Sequence, residues 1–204
     1  MLTQRIWSHL WLGAAFALVP FAAHAELAIS ANDSKAVLEN GTIVTVPNAE
    51  PDTVTIIDLS ASPPRIIAEV QAPASVVGPP GSVALALDES FALVTGGMKL
   101  DPSDPKKMVP DDTVSVIDLK AQPPKLVQTI AAGKGAAGIL INRVGSLALV
   151  ANRNEGTVSV FTITDGKLTE GGKITLGDEK SGPSQPVFTR DGAMALVTRD
   201  GGGF

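Results

Sequence analysis

Apolar residues alternate with small or polar ones along most of the chain, in runs of five to seven positions rich in Val, Ile and Thr. A period of two predicts β-strands, and helical spacing with caps is almost absent. The best-formed unit runs from Ala137 to Gly177, with strands expected over 138–142, 147–153, 157–162 and 173–176. Asp165 and Gly166 supply a tight hairpin turn, because Asp-Gly tolerates positive φ. The preceding unit has the same grammar, with strands over 82–87, 91–95, 113–119 and 126–130.

One phrase recurs. ALVTGG (92–97) leads to TVSVIDL (113–119), and ALVANR (148–153) leads to TVSVF (157–161). ALVTRD (195–200) begins another copy, and TVTIIDL (53–59) ends an earlier one. The Thr-Val strands lie 60 residues apart from Thr53 to Thr113 and 44 apart from Thr113 to Thr157. The excess is MKLDPSDPKKMVPDD (98–112), read as a polar, Pro-rich surface loop; without it the period is about 45. Pro63-Pro64 and Pro123-Pro124 follow equivalent strands, where a missing N–H does no harm.

Four antiparallel strands in about 40 residues is the length of one propeller blade. The predicted fold is all-β, a β-propeller of four-stranded antiparallel blades. Its segments are about 27–71, 81–130, 137–177 and 184–200, a single domain over 26–204. The first segment lacks an obvious innermost strand and the last holds two strands, which makes about three to three and a half blades. So few cannot close a ring without strain. The expectation is an incomplete propeller, truncated or completed by self-association through its open blade edges.

LVANRNEGTVSV (149–160) resembles the YVTN β-propeller repeat, with Leu149 for the Tyr and Ala151-Asn152 for Thr-Asn. With Asp165, Gly166, Leu168, Pro186, Phe188, Asp191 and Gly192, it is also similar to the propeller family that contains 6-phosphogluconolactonases. The resemblance covers nearly all of 27–200. It implies a ring of about seven blades and, through the second family, hydrolysis of a sugar lactone.

The first 25 residues have a separate character. Arg5 precedes an apolar run of 12, Leu10 to Phe21, and Ala23-His24-Ala25 forms a small-x-small cleavage site. This predicts a secretory signal peptide over 1–25, the alternative being an uncleaved anchor, and a periplasmic or secreted product with no later membrane span. Its removal takes both His and both Trp, so residues 26–204 contain no His, Cys, Tyr or Trp. Without Arg5, 15 basic residues face 21 acidic ones. That balance argues against nucleic acid and against an anionic membrane surface as partners.

Lacking His and Cys, residues 26–204 cannot build a Ser-His-Asp or Cys-His nucleophile, nor a zinc, haem or copper site on His or Cys ligands. Asp101, Asp104, Asp111 and Asp112 place hard oxygen donors on the 98–112 segment, a candidate Ca²⁺ site. Lys99, Lys106 and Lys107 offset that charge, and a solvated insertion is the alternative. Asn152, Arg153 and Glu155, with Arg143, are candidate ligand-binding residues in turns at the face of the disc. An Arg there could grip a carboxylate or phosphate, or the turns could simply be solvated. Three functions stay open: an exported binding or scaffold module with a protein or small-molecule ligand, a lactonase-like hydrolase, or a remnant without independent function.

Overall fold

The computed structural model describes residues 26–78 and 81–201, so the expected signal peptide lies outside the described residues. The described chain is all-β. Strand β1 (Leu27–Asn32) is followed by a hairpin of β2 (Ala36–Glu39) and β3 (Thr42–Thr45), then by β4 (Thr53–Asp58) and β5 (Arg65–Gln71). Strands β1, β4 and β5 form a three-stranded first sheet in that order. The second sheet has four strands, β6 (Val83–Leu85), β7 (Phe91–Asp101), β8 (Asp104–Asp118) and β9 (Lys125–Ala131). The third repeats it with β10 (Ala136–Ile141), β11 (Leu147–Asn152), β12 (Thr157–Thr164) and β13 (Lys167–Thr175). A 3-10 turn at Glu179–Ser181 leads to the pair β14 (Pro183–Phe188) and β15 (Ala195–Arg199). Every pairing is antiparallel, and no described helix is long and apolar enough to cross a membrane.

The antiparallel order gives the stack two ends. Intersheet connectors and the β1–β4, β7–β8 and β11–β12 links gather at one end, here the arm end. The short turns β6–β7, β8–β9, β10–β11 and β12–β13 gather at the other, the turn end. Asp165 (φ 50°) and Gly166 (φ 68°) make the expected β12–β13 turn in the left-handed region.

Side-chain alternation explains how the sheets stack. Along β7, Phe91 and Leu93 join the core shared with the third sheet, while Ala92 and Val94 join the core shared with the first. On β8, Val114 and Val116 face forward and Ile117 faces back, as does Leu119 just after the strand. The second sheet is thus apolar on both faces, which fits its seven consecutive buried positions from Phe91 to Gly97. Phe161, Ile56, Leu93 and Ile117 are fully buried, each contributing roughly 1.5–3 kcal/mol of apolar burial.

Three strand expectations change. The last strand of the third sheet begins at Lys167, directly after the Asp165-Gly166 turn, and not at the expected 173. Residues 98–112 are not a loop: β7 and β8 continue through them as a hairpin arm, with Met98 opposite Pro110, Lys99 opposite Val109 and Leu100 opposite Met108. The ladder forms despite the Asp, Lys and Pro content, with a register shift near the tip, where Asp101 stands opposite Asp104 and residues 105–107 fall outside the pairing. The β2–β3 hairpin, here the first arm where the β7–β8 extension is the second, stands at the equivalent link of the first sheet, in a stretch where the sequence pattern named no strands. Its turn residues Asn40 (φ 48°) and Gly41 (φ 82°) adopt the positive φ that a two-residue hairpin turn demands.

Candidate functional site

The repeated phrase encodes a side-chain latch. Asn152, at the end of β11, is completely buried. Its amide donates to Thr157 Oγ1 at 2.8 Å and Ser159 Oγ at 2.9 Å, and its oxygen accepts from Gly133 N at 3.0 Å. Asn32, at the end of β1, donates likewise to Thr53 Oγ1 (3.1 Å) and Thr55 Oγ1 (2.8 Å). The Thr-Val-Ser/Thr pattern therefore supplies two acceptors on one face of a strand for one Asn on its neighbour.

The second sheet departs from this. Pairing with Thr113 puts Gly96 at the Asn position, and buried Ser115 is left with an unpartnered hydroxyl. A Cβ on Gly96 would lie 3.1 Å from Pro73 Cβ and 3.2 Å from Asp111 Oδ2, so glycine makes room for both. Asp111 is nearly buried and bonds Lys99 Nζ at 2.8 Å. That bond, with the accompanying charge attraction, raises Lys99 above the usual lysine range.

Across from this pair stands a second ionic group at the base of the first arm. Lys35 Nζ donates to Asp52 Oδ2 at 2.7 Å, Asp33 Oδ1 at 3.1 Å and the Ala74 carbonyl at 2.5 Å. Asp33 also accepts from Val76 N, and Asp52 from Ala74 N and Ser34 N. These bonds tie the arm to the connector after β5. Between the two arm bases lies a cleft of about 510 Å³, lined by Lys35, Asp52, Pro73, Met98, Lys99 and Asp111. Its charged groups are mutually bonded, which suits holding a shape more than exchanging protons.

The binding and metal candidates singled out from the sequence are dispersed. Arg143 sits in the β10–β11 turn, whereas Asn152 ends β11 and Arg153 and Glu155 follow it at the arm end, so the length of a six-residue strand, about 20 Å, separates them. Arg153 reaches Ser184 Oγ at 2.8 Å and pairs with Asp200. Glu155 binds Lys173 Nζ (2.9 Å), Lys134 N (2.9 Å) and Thr157 Oγ1 (3.1 Å). Burial pushes its carboxyl up, but these donors outweigh burial and hold it below its ordinary range. Asn152, Arg153 and Glu155 thus brace the protein.

Asp101 caps Ser103 at the tip of the second arm, Asp104 pairs with Lys107 there, and Asp111 and Asp112 lie at its base. No group of three or more acidic side chains gathers to hold a metal ion among the described residues. Lys35 and Asp52 are not among the candidates that the sequence suggests. The Asn40-Gly41 dipeptide between two apolar runs is the signal that could have exposed their arm.

No protein-family profile and no curated protein sequence matches the chain. Solved structures do. Hydrazine synthase of Kuenenia stuttgartiensis superposes with TM-score 0.54 at 22% identity, covering 71% of this chain and 35% of that one. A candidate 6-phosphogluconolactonase from Bacteroides uniformis gives 0.54 at 14% identity, covering 85% and 61%. The periplasmic gluconolactonase of Pseudomonas aeruginosa gives 0.51 at 15%, covering 77% and 46%. The chain spans less than two thirds of each of these proteins. At such identities the likeness is one of fold: an all-β, propeller-like stack of four-stranded sheets.

Proposed function

We propose that the chain is a binding module built from propeller blades, about three to three and a half of them, whose arm end receives a ligand. The observation that carries this reading is the pair of arms on successive sheets, bracketing the cleft between Lys35 and Lys99. The first arm presents Leu38 (72% exposed) and Ile43 (48%) as an exposed cross-strand apolar pair. Exposed aliphatic side chains on a hairpin held rigidly at its base suit contact with another macromolecule.

A second reading is hydrolysis of a sugar lactone, supported by the likeness to two proteins described as lactonases. One experiment addresses both. The chain and its Leu38→Asp/Ile43→Asp variant are used as bait in cell-envelope extract, and both are assayed with δ-gluconolactone, with and without Ca²⁺ or Mg²⁺. The binding reading expects a partner captured by the parent and lost from the variant, with no lactone turnover above the spontaneous rate. Turnover by both forms with identical capture profiles overturns it in favour of the hydrolase.

A further inference from the structure

We propose that the groove at the turn end, between the second and third sheets, binds a small oxyanion carrying an apolar body, an organic carboxylate or a phosphate monoester. The groove has a volume of about 820 Å³, within the usual range for small-molecule sites. Phe91 and Ile163 are buried in its apolar wall, and Leu87, Val127 and Val144 line its more exposed parts. The Asp165-Gly166 turn lies over the Phe91 ring: a Cβ on Gly166 would stand 3.6 Å from Phe91 Cδ1.

The charges around this apolar surface are unequally committed. Lys120, Arg143 and Lys167 line the groove with Asp88, Asp118 and Asp165. Asp88 Oδ1 accepts from Ser90 N (3.1 Å) and Ser90 Oγ (2.6 Å). Asp118 Oδ1 accepts from Lys120 N (2.9 Å) and Ala121 N (3.1 Å). Both carboxylates are therefore engaged in shaping their own turns. The Arg143 and Lys167 side chains make no ion pair or hydrogen bond among the described residues, and Lys120 makes one long bond, 3.3 Å, to the Asp88 carbonyl. Three cations with donors to spare thus stand beside three carboxylates, two of which, Asp88 and Asp118, have one oxygen each occupied by turn donors. The planar fork of Arg143 matches the two oxygens of a carboxylate or phosphate, and the ammonium groups add charge without demanding geometry.

The site is also held in place. Gln128 on β9 donates through Nε2 to the Leu168 carbonyl and accepts from Leu168 N, both at 2.8 Å. This reciprocal pair bridges the two sheets beside Val127 and Lys167 and fixes the width of the groove. The groove opens at the end opposite the arms and is independent of the function proposed for them.

The test is titration of the full chain with benzoate, phenyl phosphate and, as the uncharged control, benzyl alcohol, followed by calorimetry or NMR shifts. Saturable binding of at least one anion is expected, weakened by added salt, with none of benzyl alcohol. Arg143→Ala should weaken it about tenfold, the worth of one charge-assisted contact, with partial recovery in Arg143→Lys. Lys99→Ala, at the arm end, should leave it unchanged. Tighter binding of phenyl phosphate identifies phosphate as the preferred head group and tighter binding of benzoate identifies carboxylate. Failure of both anions to saturate at millimolar concentration overturns the proposal. So does undiminished binding in the folded Arg143→Ala/Lys167→Ala variant.

Discussion

Ser115 and Ser159 occupy the same place in two copies of one phrase and sit in opposite circumstances. Ser159 accepts a hydrogen bond from the Asn152 amide, whereas Ser115 is equally buried and has no partner, because Gly96 stands where the Asn would be. A buried hydroxyl costs stability when it is orphaned and contributes when it is bonded. Ser115→Ala should therefore raise the stability of the chain by up to about 1 kcal/mol, while Ser159→Ala should lower it by about 1 kcal/mol. Urea unfolding of the two variants would show it, and equal losses in both would refute it. The Thr-Val-Ser spacing was legible as a strand because Val114 and Val158 alternate with polar neighbours. Why those neighbours are Thr and Ser was not legible, because the Asn that bonds them lies on another strand and looks like a turn residue.

At the scale of the element, the two arms illustrate opposite difficulties. The 98–112 segment carries Asp, Lys and Pro in amounts that read as a loop, yet its exposed cross-strand pairs need no apolar pattern to form a ladder once β7 and β8 have brought them together. The β2–β3 arm depends on something the pattern could not show, the ionic anchor beneath it. Lys35 is almost fully buried and satisfies Asp33, Asp52 and the Ala74 carbonyl together. Lys35→Met would leave two carboxylates desolvated without a counter-charge, at a cost of about 3–5 kcal/mol. The expected result is a lower urea midpoint with faster hydrogen exchange at the arm base and connector 72–76. A change below about 0.5 kcal/mol, the level of an ordinary surface substitution, would show that the anchor is not holding.

For the whole molecule, the acidic surface is tied into turns in a way that sets its response to pH. The Ser60, Ser90, Ser103 and Thr189 hydroxyls hold Asp58, Asp88, Asp101 and Asp191 below the ordinary carboxylate value. The Arg153 hydrogen bond does the same for Asp200, and the donors around Glu155 outweigh its burial. A carboxyl depressed in the folded state contributes stability above its unfolded value, and that contribution fades as pH falls through the folded one. Melting temperature should therefore stay level from pH 7 to about 5 and decline progressively below about 4. Lys99 works in the other direction: raised by Asp111, its contribution is complete below the ordinary lysine value and fades as strong alkali takes pH through the higher one. A melting temperature that climbed between pH 5 and 3 would contradict the acid branch.

The alternation along β7 and β11 also gives the stack a direction. In each complete sheet the Ala and Val of the Ala-Leu-Val phrase face the preceding sheet; Val54, Val114 and Leu93 face the following one. Each junction is thus a head-to-tail contact, like a stud entering a socket, rather than a pairing of like surfaces. Deleting or duplicating one full period would still bring a stud to a socket, so the length of such a chain can change by whole repeats while the kind of surface that meets at every junction stays the same.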